Sequence, residues 1–150
     1  MDHRPHGAGS EPESFEVRIL RQDRPDGASY WQHFRLDREA GLNVTAVLQR
    51  IAARPETVSG TLVAPVAYEA HCLEEVCGSC TMLINGRTRQ ACSALVDKLL
   101  ADCPGRIELR PMSKFPVLRD LLVDRRRLFR ALQKVKAWIP VDGYYDLGPG

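Results

Sequence analysis

Four cysteines, Cys72, Cys77, Cys80 and Cys92, constrain this chain more than any other feature of its 150 residues. They stand as C-x4-C-x2-C-x11-C within CLEEVCGSCTMLINGRTRQAC, the ligand spacing of plant-type [2Fe–2S] sites. Two irons and two sulfides need four thiolates, two on each iron. A fold that serves such a site must put three cysteines on one loop and bring the fourth beside them. Electron transfer is the chemistry this set points to.

The residues after the third cysteine explain how the fourth returns. Asn85-Gly86 is a two-residue hairpin signal of the type I′ kind, flanked by strand-like runs from Thr81 to Ile84 and from Arg87 to Ala91. With that turn, Ile84 faces Arg87, and counting back sets Ser79 opposite Cys92, with Cys80 beside it. Gly78 allows a close backbone approach or a positive φ. The backbone N–H groups of Leu73 to Ser79 and the Ser79 hydroxyl are candidate donors to cluster sulfurs, which raises a reduction potential. Glu74 and Glu75 bring negative charge and push it down.

Rival readings of the cysteines are weaker. A structural zinc site usually shows two C-x2-C knuckles, and only Cys77 and Cys80 form one here. A redox Cys-Gly-Ser-Cys would need a helix starting at the motif to lower a thiol pKa, whereas a strand follows. Cys103, in Asp-Cys-Pro-Gly outside the pattern, fits the inert default. His71, next to Cys72, could tune a cluster or replace a ligand as in Rieske centres, a role that four cysteines leave unneeded. His3, His6 and His33 have no partners in sequence, and Tyr68 and Trp138 read as packing residues.

Composition narrows the class. At 44% hydrophobic and 27% charged, the chain has the material for about one globular domain. A net charge of +2 gives no reason to expect nucleic acid or a membrane surface as partner. No apolar run approaches the ~20 residues of a membrane span. The first 14 residues, MDHRPHGAGSEPES, lack the apolar stretch of a secretory signal and read as a disordered tail. Five cysteines without such a signal favour a reducing compartment and cofactor ligation over disulfides.

Phe15 to Leu20 alternates apolar and polar residues as a half-buried strand does. Arg24-Pro25-Asp26-Gly27 is turn chemistry, and Tyr30 to Leu36 gives the return strand. Asn43 is a candidate N-cap for a helix with Val44, Val47, Leu48 and Ile51 on one face, ended by Pro55. Leu62 to Val66 reads as loop or a brief edge strand, residues 69–80 as loop, and Arg106 to Arg110 as a strand. The pattern β-β-α-loop-β-β-loop-β describes an α+β domain on a mixed sheet. Asp124 is expected to cap a helix reaching about Ala137, with Val123 and Leu128 placed as a hydrophobic staple. Its apolar stripe is Leu128, Phe129, Leu132 and Val135. The basic run Arg125-Arg126-Arg127, with Arg119, Arg130, Lys134 and Lys136, is either a docking face or the solvated side of that helix. The closing VDGYYDLGPG resembles a linker.

From Pro65 to Gly150 the chain resembles the N-terminal half of the iron–sulfur subunit of succinate dehydrogenase and fumarate reductase. The resemblance is carried by CLEEVCGSCTMLINGRTRQACSALV, RIELRPMSKFPVLRDLLVD, KVKAWIP and DGYYDLGPG. The stretch from Phe115-Pro116 to Asp124 separates that family from free-standing ferredoxins. It implies a β-grasp, plant-type ferredoxin-like domain over residues 15–113, followed by a linker and helix over 114–150. It also implies a [2Fe–2S] cluster with Cys72 and Cys77 on one iron and Cys80 and Cys92 on the other. Some members have Asp at the third position, and Cys80 here implies full thiolate ligation.

The family continues into a helical second domain with [4Fe–4S] and [3Fe–4S] clusters, whose C-x2-C-x2-C-x3-C-P motifs are missing here, since no cysteine follows Cys103. The resemblance implies an electron-transfer subunit of a succinate:quinone or quinol:fumarate oxidoreductase, with no catalytic acid or base of its own. Its partners would be an FAD-containing flavoprotein and, through the second domain, a membrane anchor. It would sit peripherally on the cytoplasmic side of the cell membrane, or be soluble if alone. The alternatives are an independent soluble [2Fe–2S] carrier and a non-redox zinc-binding interaction module.

Overall fold

The computed structural model describes residues 14–137. Of the expected tail over residues 1–14, the first 13 lie outside the described residues, as do Trp138 and the closing VDGYYDLGPG, whereas Ser14 is already the first residue of a strand, paired with Asp37.

Alternation produces the first hairpin. Strand β1 (Ser14–Arg21) buries every second residue, and it pairs antiparallel with β2 (Tyr30–Asp37) in unbroken register from Ser14↔Asp37 to Arg21↔Tyr30. The Arg24–Gly27 turn closes it, with Gly27 N–H bonded to Arg24 O and Asp26 at φ 59°. Helix α1 (Val44–Ala53) begins where Asn43 accepts the Ala46 N–H at 2.9 Å, and Arg54 caps its end. Its Val44, Val47, Leu48 and Ile51 are buried in one core with Phe15, Val17, Ile19 and Phe34 of the hairpin. Each such side chain contributes about 1.5–3 kcal/mol by leaving water.

Strand β3 (Thr81–Ile84) pairs with β4 (Arg87–Gln90) around Asn85 (φ 47°) and Gly86 (φ 75°), the two left-handed positions that a type I′ turn demands. Strand β5 (Arg106–Arg110) runs parallel to β1 and antiparallel to β3. The five strands lie in the order β2-β1-β5-β3-β4, a mixed sheet as expected.

Two elements differ from the sequence expectation. The β4–β5 connection, expected as loop, holds helix α2 (Val96–Asp102), which buries Val96, Leu99 and Leu100 against β5 and the core. Residues 114–123, expected as linker, contain a second small sheet made of β6 (Val117–Arg119) and β7 (Leu122–Val123). Asp120, Leu121 and Val123 of that hairpin are buried, so it belongs physically to the domain before it.

Helix α3 (Arg126–Lys134) is shorter than the expected 124–137. Asp124 does bond the Arg126 N–H at 2.9 Å, but Arg125 occupies the cap position without a side-chain cap bond. None of its residues is buried, and Leu128, the expected staple partner of Val123, is 50% exposed.

Candidate metal centre

The loop from Glu69 to Cys80 has no regular structure, and its shape follows from three left-handed residues, Leu73 (φ 61°), Glu75 (φ 59°) and Gly78 (φ 72°). Leu73 and Glu75 are not glycines, so each costs on the order of 1–2 kcal/mol of backbone strain. Such strain persists where the surroundings over-determine the conformation, typically at functional sites.

The return is a ring of donors aimed at sulfur. Cys72 Sγ accepts from the N–H groups of Glu74 at 3.5 Å and Cys77 at 3.3 Å. Cys77 Sγ is 3.1 Å from the Ser79 hydroxyl and accepts the Ser79 N–H at 3.5 Å. The Cys92 thiol accepts a backbone bond from Glu75. Ser79 Oγ also takes the His71 N–H at 3.1 Å, which draws the neck of the loop together. These are the donors that the sequence nominated between Leu73 and Ser79.

The fourth cysteine arrives by register. Thr81 faces Gln90, and one step further the Ala91 N–H bonds Cys80 O at 3.2 Å. The N-terminal amides of α1 hold the same segment from the other side, Val44 N–H on Ala94 O and Thr45 N–H on Ala91 O. Helix-start amides have no intrahelical partner, so this contact satisfies them and fixes the segment that carries Cys92.

The thiols therefore fall into two pairs. Cys77 and Cys72 exchange bonds on the exposed side, and the buried Cys92 thiol lies within hydrogen-bonding reach of buried Cys80. Among the described residues, no three His, Cys, Asp or Glu side chains converge where a single metal ion could sit. Two pairs of thiols, each with an N–H donor and near enough for Cys72 to act electrostatically on Cys92, fit a two-iron cluster, which needs two thiolates on each iron. Cys77 and Cys92 differ in acidity. The Ser79 hydroxyl, with the backbone N–H groups of Cys72 and Ser79, lowers Cys77 to about 6, whereas burial pushes the Cys92 thiol up.

Other candidates fall elsewhere. Cys103 is exposed at the end of α2, its N–H on Leu99 O. His71 is exposed, His33 pairs with Glu16 at 2.9 Å, and Tyr68 packs on the core. Glu75 turns its carboxylate to the Ser93 hydroxyl at 2.8 Å, which ties the loop to the end of β4.

The basic run divides. Arg126 folds back on Asp124, holding that carboxyl down at about 2, and Arg127 and Arg130 are exposed. Arg125 turns inward and donates to Gly78 O at 3.0 Å and Ser79 O at 2.5 Å. Sequence reasoning assigned it no such place, since partners that are backbone carbonyls leave no trace in residue type.

The model for a 2Fe-2S iron-sulfur cluster binding domain matches residues 16–130. The succinate dehydrogenase iron-sulfur subunit of Bacillus subtilis (strain 168) is 50% identical over 141 residues, covering 94% of this chain and 54% of that protein. The fumarate reductase iron-sulfur subunit of Mycobacterium tuberculosis is 35% identical, covering 69% and 42%. The chain thus spans about half the length of these relatives. Among solved structures, a chain of the Mycobacterium smegmatis Sdh1 complex in the apo form superposes with a TM-score of 0.65 at 24% identity, over 91% of this chain and 51% of that one. That likeness shows a shared fold.

Proposed function

The chain belongs to the family of 2Fe-2S iron-sulfur cluster binding domains, and on that premise we propose that it is the electron-transfer iron–sulfur subunit of a succinate:quinone or quinol:fumarate oxidoreductase. A [2Fe–2S] cluster is its cofactor. The observation that carries the site assignment is the pairing of thiols, Cys72 with Cys77 and Cys80 with Cys92, each pair facing N–H or hydroxyl donors. We assign one pair to each iron. The names of the relatives, succinate dehydrogenase and fumarate reductase iron-sulfur subunits, support the choice of complex.

When bound, the cluster supplies one-electron chemistry between the FAD of a flavoprotein subunit and the next redox centre. The work of this chain is positioning. The Glu74, Cys77 and Ser79 amides spread negative charge from the sulfurs into the backbone, which favours the more negative, reduced state. Cys80 and Cys92, at 3% and 7% exposure, keep water from one side of the site, and the exposed Cys77 side is left for electron exchange.

The sheet order and the helix α1 that covers its inner face support a β-grasp domain. The exposed stripe of Leu128, Phe129, Leu132 and Val135 supports a helical second domain that covers it. That domain, with [4Fe–4S] and [3Fe–4S] clusters, a membrane anchor reached through it and a peripheral place on the cytoplasmic side of the membrane belong to the same proposal and rest on the names of the relatives. The stripe also weighs against a free soluble carrier, which gains nothing from an uncovered apolar helix. Among the described residues, no helix is long and apolar enough to cross a membrane.

Anaerobic reconstitution of the full chain with iron and sulfide tests the assignment. Two irons per chain and an EPR signal after one-electron reduction are expected, followed by faster reduction in the presence of a succinate-oxidising flavoprotein. A folded but colourless, EPR-silent, zinc-loaded chain would sink the redox reading.

A further inference from the structure

The peptide between Gly78 and Ser79 is held at both ends. Its N–H points at Cys77 Sγ, 3.5 Å away, and its carbonyl oxygen receives three donors: Thr81 N–H at 3.1 Å, Thr81 Oγ1 at 2.7 Å and Arg125 Nη1 at 3.0 Å. The next carbonyl, Ser79 O, takes Arg125 Nη2 at 2.5 Å, so one guanidinium forks across two successive peptides of the loop. Arg125 Nε has no hydrogen-bond partner and lies 3.7 Å from Glu69 Oε2. The residue is the N-cap of α3, 46 positions along the chain from Ser79.

From this we infer that Arg125 is a positioning residue that sets the reduction potential of the cluster through the Gly78–Ser79 peptide. The inference rests on the cluster site proposed above. In a planar trans peptide, C=O and N–H point in opposite directions. Fixing the carbonyl on the guanidinium therefore aims the Ser79 N–H at the Cys77 sulfur. A cation on the carbonyl also polarises the peptide and strengthens its N–H as a donor, because hydrogen bonds in a chain reinforce one another. A stronger N–H···S bond stabilises the state with more charge on sulfur, which is the reduced one. The fixed positive charge of Arg125 works in the same direction. Both effects raise the potential.

The test is a redox titration of the loaded chain followed by EPR, on wild type, Arg125→Ala, Arg125→Lys and Arg126→Ala. At the poise where wild type is half reduced, the reduced-to-oxidised ratio of Arg125→Ala is expected to fall roughly tenfold, which is 59 mV for a one-electron couple. Arg125→Lys keeps the charge but loses the fork, so its potential should fall between the two. Arg126→Ala removes a neighbouring positive charge that touches no loop carbonyl, and should titrate with wild type.

A purely structural arginine would change how much cluster loads, yet leave the potential of the loaded fraction where it was. Coincident titrations of wild type, Arg125→Ala and Arg125→Lys would therefore overturn the inference. If Arg125→Ala does not load, Arg125→Lys decides: a lowered potential supports the tuning role, and an unchanged one refutes it. If folded wild type itself takes up no cluster, the proposed site fails first, an outcome visible before any variant is compared.

Discussion

Arg21 and Asp120, 99 positions apart, form a two-point ion pair with almost no exposure, Nε to Oδ1 at 3.0 Å and Nη2 to Oδ2 at 2.9 Å. Every remaining polar atom of the pair is used. Arg21 also bonds the Gln32 side chain and the carbonyls of Ala64 and Pro65, and Asp120 takes the N–H groups of Gln22 and Ala67. One residue from β1 and one from the β6–β7 turn thus fasten the segment that enters the cysteine loop.

Removing one partner would leave the other charge buried and alone. Asp120→Ala should cost about 3–5 kcal/mol, read as a lowered urea midpoint with an unchanged slope. The double change Arg21→Met, Asp120→Leu should recover only the part of that loss due to the unpaired charge, because the Ala64 and Pro65 carbonyls and the Gln22 and Ala67 N–H groups still lose their partners. Equal midpoints for wild type and Asp120→Ala would show that the pair is not structural.

The elements legible in sequence are those with local signals. β1 showed alternation, Asn43 a capping side chain, and Asn85-Gly86 a turn of known type, which carried the register to Gln90 and, by one further bond, to Ala91 beside Cys92. Helix α2 was hidden because Leu95 offers no capping group, although Val96, Leu99 and Leu100 have helical spacing. The β6–β7 hairpin was hidden because its stability comes from Arg21, not from its own short strands. Parity could have exposed that pair: Arg21 continues the inward series Phe15, Val17, Ile19, where a charge demands a buried partner.

Cys77 and Cys92 should respond to pH differently in the cluster-free chain. Cys77, lowered to about 6 by the Ser79 hydroxyl and backbone N–H groups, is mostly thiolate at neutral pH, whereas burial raises Cys92 above the ordinary thiol range. Alkylation of Cys77 by iodoacetamide should keep its rate until pH falls through about 6. Ser79→Ala should move that midpoint up toward the ordinary thiol value of about 8.5. The folded pKa lies below the unfolded one, so this thiol stabilises the fold above the ordinary thiol range, and the contribution is lost as pH falls through the folded value. A Cys77 midpoint near that of a free thiol in wild type would contradict the arrangement of donors.

Cys92→Ala should abolish a stable [2Fe–2S] signal, and Cys103→Ala should leave it intact, because Cys103 is exposed at the end of α2, outside the cysteine loop. Absorbance and EPR of reconstituted variants distinguish them. The opposite result would require a different ligand set.

Asn85→Ala tests whether the hairpin register is what delivers Cys92. Asn85 stands at φ 47° and its Oδ1 accepts the Glu108 N–H at 2.8 Å, linking the turn to β5. Losing the bond costs about 0.5–1.5 kcal/mol and placing alanine in the left-handed region about 1–2 kcal/mol more. The thermal midpoint should fall accordingly, with a lower yield of loaded cluster. An unchanged midpoint would mean that the turn is held by its neighbours alone.

Helix α3 should behave as a surface that the domain itself does not use. Leu128, Phe129, Leu132 and Val135 are 44–73% exposed, and no residue of the helix is buried. Charged substitutions there lose almost no buried area, so Leu128→Glu with Leu132→Glu should move the unfolding free energy of the chain by no more than about 0.5 kcal/mol. The same pair should instead weaken assembly into the proposed complex, because covering the stripe is what a helical second domain would provide. Urea unfolding of the chain and size-exclusion chromatography with the complex's other components read the two effects separately. A large loss of stability in the isolated chain would show that α3 packs on this domain after all, and would remove the stripe as support for a second one.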